Sequence, residues 1–402
     1  MNLQPTGISI LGSTGSVGRQ ALALMGAHPG QFELQTLVAG ENWQLLAEQA
    51  MQHRARYAVI ANPAHYAKLK TALQPHGIIT AAGSEAVIDA AQQPVDVAVA
   101  GIVGCAGLAP TMAALRAARR LAFASKECLV CAGPVFLRQA DQYGCKIIPT
   151  DSEHSALFQL LRHEDRQNLS RVVLTASGGP FLRTALADLA NVTPEMAVAH
   201  PVWSMGKKIS VDSATLMNKG LELIEAHYLF SLPPEQIEVL IHPQSIVHAL
   251  AEFKDGAITA HLGLPDMQLP LAYAMFWPKR ADLPKMRLDF SKLTQLQFEP
   301  PRYDVFPSLQ LARQSIVQGG EAPLALNAAN EVAVGRFLAG EIRFLDIFAL
   351  CANLMERWQG RASFGKSPME LSHILALDSE FRSQASAWQP VKHGGFTPIR
   401  VA

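Results

Sequence analysis

The first residues with chemistry attached are three glycines in the run Gly12-Ser13-Thr14-Gly15-Ser16-Val17-Gly18. They follow an apolar strand-like stretch, Gly7–Leu11, and precede a helical pattern. Glycines at such a junction let the backbone approach a pyrophosphate, whose charge meets the N–H groups and positive end of the helix. The spacing is GxxGxxG rather than GxGxxG, so a tight strand-to-helix turn without a ligand is the competing reading. A second strand ends at Val38-Ala39-Gly40-Glu41-Asn42. An acid there suits a ribose 2′-hydroxyl, whereas a 2′-phosphate prefers a base.

The second group is acidic. Lys146–Pro149 reads as a strand end and runs into Thr150-Asp151-Ser152-Glu153-His154. In extended chain Asp151 and Glu153 project to one side, and the carboxyl end of a strand is where α/β sheets place ligands. Two hard oxygen donors suit Mg²⁺ or Mn²⁺. The same residues also spell a capping box, Thr150-x-x-Glu153, before an apolar helix. A third acid is needed, and Glu222 and Glu225 lie beside the apolar face Leu221, Ile224, Tyr228. Spacing does not choose between them.

Anion donors come next. Ser177-Gly178-Gly179-Pro180 follows a strand and can form a backbone nest or a plain turn. Ser213, Asn218 and Lys219 supply a hydroxyl, an amide and a cation, the donors a phosphate monoester takes. The segment His200-Pro201-Val202-Trp203-Ser204-Met205-Gly206-Lys207-Lys208 reads either as a lid that excludes water or as a packed connector.

These groups need a scaffold, and the hydrophobic rhythm supplies one. Strands are expected at Gly7–Leu11, Phe32–Val38, Tyr57–Ile60, Val95–Ala100, Leu121–Ala124 and Lys146–Pro149, with helices such as Trp43–His53 and Thr111–Arg120 between them. That alternation implies an α/β fold with a parallel sheet wrapped by helices, so residues 1–150 form a Rossmann-like, nucleotide-binding domain. Residues 151–283 read as a central α+β catalytic domain: a helix near Ser155–Leu161, a strand Val172–Ala176, a loop-rich stretch His200–Ser213, a helix Lys219–Leu229, and alternating runs Ile237–Leu240, Ser245–Phe253 and Ala257–Leu262 in an antiparallel or mixed sheet. Residues 284–306 are Pro-containing and irregular, a linker, and 307–402 form a small C-terminal helical domain with helices at Ala325–Leu338 and Leu345–Trp358.

Composition limits the classes. The 402 residues are 49% hydrophobic and 17% charged, a folded chain of more than one domain. Lys+Arg and Asp+Glu are 34 each, so no basic surplus points to nucleic acid or an anionic membrane. The uncharged stretch Val97–Leu115 is long enough for a membrane span, yet Gly101, Gly104, Gly107 and Pro110 make it strand, loop and helix start. The first ten residues lack Lys and Arg, so no secretory leader is expected. Five cysteines, including a lone Cys128-x-x-Cys131, fit buried thiols in a reducing cytoplasm better than a disulfide framework or a zinc site.

Together the pieces resemble one family, the 1-deoxy-D-xylulose 5-phosphate reductoisomerases. The resemblance rests on GSTGSVG at 12–18, SKE at 125–127, PTDSEHSAL at 149–157, TASGGPF at 175–181, HPVWSMGKKISVDSATLMNKGLELIEAH at 200–227, HPQSIVHAL at 242–250, LPDMQLP at 264–270 and ALNAANEVAV at 325–334, in order over most of the chain. It implies an NADPH-dependent, divalent-metal-dependent oxidoreductase of non-mevalonate isoprenoid precursor biosynthesis, acting as a homodimer on a small sugar phosphate. It implies Asp151, Glu153 and Glu222 as metal ligands. Lys126, Ser152, Glu153, Ser177, His200, Trp203, Ser213, Asn218, Lys219 and Glu222 are the implied substrate contacts, with Lys126 and His200 joining the metal ligands in catalysis. Thr14, Gly15, Ser16, Val17, Gly40, Asn42, Ser125, Glu127 and Gly206 are the implied NADPH contacts, Met205 joins Trp203 in the lid, and His248, Pro265 and Met267 lie near substrate or nicotinamide. The sequence departs from the family pattern at Glu41, Ser125, Cys128 and Gln268. Two other readings stand beside this one: a related NADP oxidoreductase that reduces another substrate without isomerisation, and a nucleotide-binding sensor without catalysis, against which the three acids argue.

Overall fold

The computed structural model describes residues 4–203, 205–358 and 370–390. The chain divides into two units. The first takes the described residues of Met1–Cys128 with Phe136–Ser155 and Asp266–Met286; the second takes Leu129–Val135, Ala156–Pro265 and the described residues of Arg287–Ala402.

The first unit is built on seven strands: β1 (Thr6–Leu11), β2 (Phe32–Ala39), β3 (Tyr57–Ile60), β4 (Ile79–Ala82), β5 (Val95–Ala100), β6 (Ala118–Phe123) and β7 (Lys146–Pro149). All pair in parallel, in the order β4-β3-β2-β1-β5-β6-β7. Parallel strands are covered on both faces, which is why β1, β3 and β5 read as short apolar runs. Ile8, Ile10, Leu11, Val97 and Val99 are fully buried. β4 is a further strand at the sheet edge, none of it fully buried, so it carries no apolar run to announce it. The helix expected at Thr111–Arg120 instead occupies Leu108–Leu115, and its last expected residues belong to β6. All but one of its residues are buried, so it has no polar face to mark its ends.

Residues 266–286, read in sequence as the end of the central region up to 283 and the start of the linker from 284, pack with this sheet instead. Their helix Gln268–Phe276 buries Leu271, Ala272, Tyr273, Ala274 and Met275. Phe276 meets His28 and Phe32 edge-on at 4.8 and 4.9 Å, and Arg120 donates to the Trp277 carbonyl.

The second unit holds a mixed sheet of β8 (Leu169–Ala176), β9 (Ile237–Ile241), β10 (Val247–Phe253) and β11 (Ile258–Leu262), in the order β11-β10-β8-β9. β8 and β9 are parallel and the other pairs antiparallel. The stretch read as loop at His200–Ser213 is half helix, Lys207–Ala214, followed by the helix Met217–Phe230. Gly220 lets that helix approach Ser308–Gln318: a Cβ there would lie 3.0 Å from the Ser308 carbonyl oxygen and 3.2 Å from Ala312. The helices Ala322–Leu338 and Phe344–Trp358 bury Phe337, Phe344 and Phe348, whose rings meet edge-to-face at 5.8 Å. Each such ring contributes about 2–3 kcal/mol by burial. A final described helix is Leu371–Ala387.

Candidate active site

In the first unit the glycine turn is fixed by its neighbours. Gly12 turns at φ +90°, and the N–H groups of Gly12 and Ser13 both donate to the Val38 carbonyl of β2, at 2.9 and 2.8 Å. Gln49 reaches back from the helix Trp43–Gln52 and donates to the Ser13 carbonyl at 3.0 Å. A side chain on Gly18 would sit 2.4 Å from the Gly12 carbonyl oxygen, so only glycine lets the helix Ser16–Ala27 start this close to the turn. No side chain caps that helix at Gly15. Its first N–H groups are left for an anion. Thr14 and Val17 are half-buried beside the exposed Gly15 and Ser16.

The neighbouring strand ends carry the other nucleotide candidates. Gly40 is exposed at the end of β2, and Asn42 uses its Oδ1 to cap the next helix, accepting from Leu45 N–H at 3.0 Å. Ser125 is buried, and its hydroxyl lies 2.6 Å from the Ile102 carbonyl and 3.2 Å from that of Ala100. It ties the loop after β5 to the start of the helix Lys126–Tyr143, in which Glu127 is also buried.

Beyond β7, Thr150 donates to the Phe123 carbonyl at 3.1 Å, and the helix that follows takes Asp151, not Thr150, at its N-cap position, so the capping box the sequence allows is not formed. The helix begins at Ser152 and runs to Leu160. Asp151 lies just before it and is held at both oxygens: Lys126 Nζ donates to Oδ2 at 2.5 Å, and His154 Nδ1 lies 3.2 Å from Oδ1. The Ser152 hydroxyl donates to the Glu153 carboxylate.

In the second unit, β8 delivers Ser177 to a turn with two successive left-handed glycines, Gly178 (φ +85°) and Gly179 (φ +66°). A Cβ on Gly179 would meet the Ser213 carbonyl oxygen at 2.7 Å, so this turn lies against the last turn of Lys207–Ala214. His200 Nδ1 accepts the backbone N–H groups of Val202 and Trp203 at 3.1 and 2.9 Å. The ring proton therefore sits on Nε2, which donates to Ser177 Oγ at 2.9 Å. Burial holds this imidazole below its ordinary pKa, in keeping with the neutral form. Ser177 Oγ also accepts from Gly179 N–H at 3.3 Å, so its own proton points elsewhere.

The helix Met217–Phe230 carries a second held carboxylate. Asn218 Nδ2 donates to Glu222 Oε1, and Lys219 Nζ to Oε2. Lys219 and Glu222 are both buried. Glu222 and Glu225, which spacing left equivalent, are both buried on this helix. Burial pushes His248 on β10 down to about 4, with the His261 and Lys219 charges acting the same way. Trp203 and Met205 are half-buried, and Gly206 stands exposed at the start of Lys207–Ala214.

The structure thus groups the glycine turn with Gln49, Lys126 with Asp151 and His154, Ser177 with His200, and Asn218 and Lys219 with Glu222. Gln49 and His154 were not singled out in sequence. Gln49 sits mid-helix with no signal, whereas His154, three residues from an acid, could have been found as its helical neighbour.

Three family profiles match the chain: "1-deoxy-D-xylulose 5-phosphate reductoisomerase" over residues 8–133, its C-terminal domain over 147–230, and "DXP reductoisomerase C-terminal domain" over 262–384. Curated relatives of that name include one from Zymomonas mobilis subsp. mobilis, 45% identical and covering 96% of this chain and 98% of its own. Another, from Rhodospirillum centenum, is 52% identical over 85% of each. Among solved structures, a Zymomonas mobilis reductoisomerase in complex with NADPH superposes with TM-score 0.88 at 44% identity, over 96% of this chain and 98% of that one. A reductoisomerase in complex with NADPH, fosmidomycin and magnesium superposes with TM-score 0.89 at 39% identity, over 95% and 98%.

Proposed function

The chain belongs to the 1-deoxy-D-xylulose 5-phosphate reductoisomerase family, and from that premise we propose how its residues share the reaction. The protein is an NADPH- and metal-dependent oxidoreductase that rearranges 1-deoxy-D-xylulose 5-phosphate and reduces the product to 2-C-methyl-D-erythritol 4-phosphate. The residues fit both groups. Asp151, Glu153 and Glu222, the ligands we assign, each offer carboxylate oxygens, the donors that Mg²⁺ or Mn²⁺ takes. The turn that only Gly18 permits gives a dinucleotide its close approach. When bound, the ion supplies Lewis acidity at the ketone and the nucleotide supplies a hydride.

The chain's own groups orient and exclude. Lys126 and His154 fix the lone pairs that Asp151 presents, and Asn218 and Lys219 do the same for Glu222. Ser152 does so for Glu153. Ser177, oriented by His200 and Gly179, donates its remaining proton to the substrate, and Ser213, Asn218 and Lys219 complete a donor set for the phosphate. Trp203 and Met205 cover the carbon chain from a segment pinned on His200 Nδ1, keeping water from the reacting carbons. Thr14, Gly15, Ser16, Val17, Gly40, Asn42, Ser125, Glu127 and Gly206 receive the nucleotide. The same reading makes the protein a cytoplasmic homodimer, and the five buried cysteines, held as thiols, support a reducing compartment. No helix among the described residues is long and apolar enough to cross a membrane.

The observation that carries the metal assignment is the buried Glu222 carboxylate, held at both oxygens by Asn218 and Lys219. Glu222→Gln keeps the shape and removes the charge. Mn²⁺ titration followed by electron paramagnetic resonance is expected to show binding weakened by about tenfold or more. Wild-type affinity in that variant removes Glu222 from the ligand set.

A further inference from the structure

Resting on the nucleotide reading above, we infer that Glu41, held by Asn62 and His65, reads the ribose 2′-position and weakens discrimination in favour of a 2′-phosphate, so that NADH is accepted alongside NADPH. Glu41 follows the carboxyl end of β2, the strand whose Val38 carbonyl anchors the glycine turn. In sheets of this kind the group after the second strand meets the adenosine ribose. A carboxylate accepts a hydrogen bond from a 2′-hydroxyl and repels a 2′-phosphate.

Asn62 and His65 fix that carboxylate, and among the described residues no Lys or Arg pairs with it. Asn62 Nδ2 donates to Glu41 Oε2 at 2.7 Å, and His65 Nε2 lies 3.2 Å from the same oxygen. Asn62 cannot turn its amide around, because its Oδ1 accepts Ala64 N–H at 2.9 Å. The backbone agrees: Asn62 N–H donates to the Gly40 carbonyl at 3.1 Å, tying the end of β3 to the end of β2. Asn62 and His65, two donors that a phosphate could use, are thus engaged by Glu41. Lys68 lies over the Trp43 ring, 6.0 Å from its centroid, and forms no ion pair with Glu41 among the described residues. Both of these contacts use Oε2, and the side chain is 73% exposed, so a ribose hydroxyl can reach Oε1.

The test compares binding of adenosine 2′,5′-bisphosphate and 5′-AMP by calorimetry, in wild type, Glu41→Gln and Glu41→Lys, without substrate or metal. The ratio of AMP Kd to bisphosphate Kd is expected to rise about tenfold in Glu41→Lys and by a smaller step in Glu41→Gln, the scale of one surface charge contact. Steady-state kcat/KM for NADPH over NADH is expected to rise in the same order, mainly through KM. A ratio unchanged in both variants overturns the inference while leaving the nucleotide site intact. If neither compound binds the wild type, the nucleotide reading itself fails and the inference falls with it.

Discussion

Two glycines eight residues apart on one helix give a test with opposite signs. Gly18 and Gly26 both lie in Ser16–Ala27. A Cβ on Gly18 would stand 2.4 Å from the Gly12 carbonyl oxygen and 2.4 Å from Ser13 Cα, about 1 Å inside the 3.4 Å at which ordinary contacts begin. Both obstacles are backbone, held by the hydrogen bonds to Val38 and by Gln49, so neither can step aside cheaply. Gly18→Ala must therefore push helix and turn apart, and a displacement of that size in a close-packed site costs about 1–3 kcal/mol of stability. It also breaks the approach a dinucleotide needs, so NADPH affinity is expected to fall about tenfold or more. Gly26 has nothing within 4 Å of its Cβ position and is exposed. Gly26→Ala is expected to raise stability by about 0.5–1 kcal/mol through helix propensity, with NADPH binding unchanged. Urea denaturation and fluorescence titration with NADPH read both quantities. Equal effects of the two substitutions, or wild-type binding in Gly18→Ala, would refute the assignment of the turn.

Two further predictions concern the held side chains. His200 is expected to show the Nε2–H tautomer in long-range ¹⁵N NMR and to titrate below its ordinary 6.5. Because the folded pKa is lowered, the stability from neutral His200 is present above the ordinary value and is lost as pH falls through the folded one; an Nδ1–H tautomer at neutral pH would contradict the hydrogen bonding described. Lys126→Met leaves Asp151 without its cation, where the two side chains are 7% and 13% exposed. Breaking a buried pair by removing one partner is expected to cost about 3 kcal/mol in urea denaturation, offset in part by saturating Mg²⁺, and no loss would mean that the pair is not formed.

The sheet of the first unit was legible because its central strands are buried on both faces and therefore read as unbroken apolar runs, as in Val95–Ala100. The elements that escaped share a cause: their pattern lacked contrast. Ile79–Ala82 is an edge strand without a buried face, and Gln268–Phe276 is buried nearly all round. The helix Lys126–Tyr143 carries Pro134 and a non-helical Ala132, which break its period. At the site, types and spacing exposed the glycine turn and the Asp151–Glu153 pair. They could not separate Glu222 from Glu225, since both are buried on one helix. Nor could they join Ser177 to His200, a pairing across 23 residues that depends on a turn closing back.

The central claim is that one chain performs both rearrangement and reduction. Its most direct test is to incubate the purified protein with Mg²⁺, NADPH and ¹³C-labelled 1-deoxy-D-xylulose 5-phosphate and to identify the product by NMR, with a chelator in a parallel sample. The account predicts one NADPH oxidised for each 2-C-methyl-D-erythritol 4-phosphate formed, and neither change with the chelator. Oxidation of NADPH that leaves the carbon skeleton unbranched, or turnover that persists without metal, would contradict it.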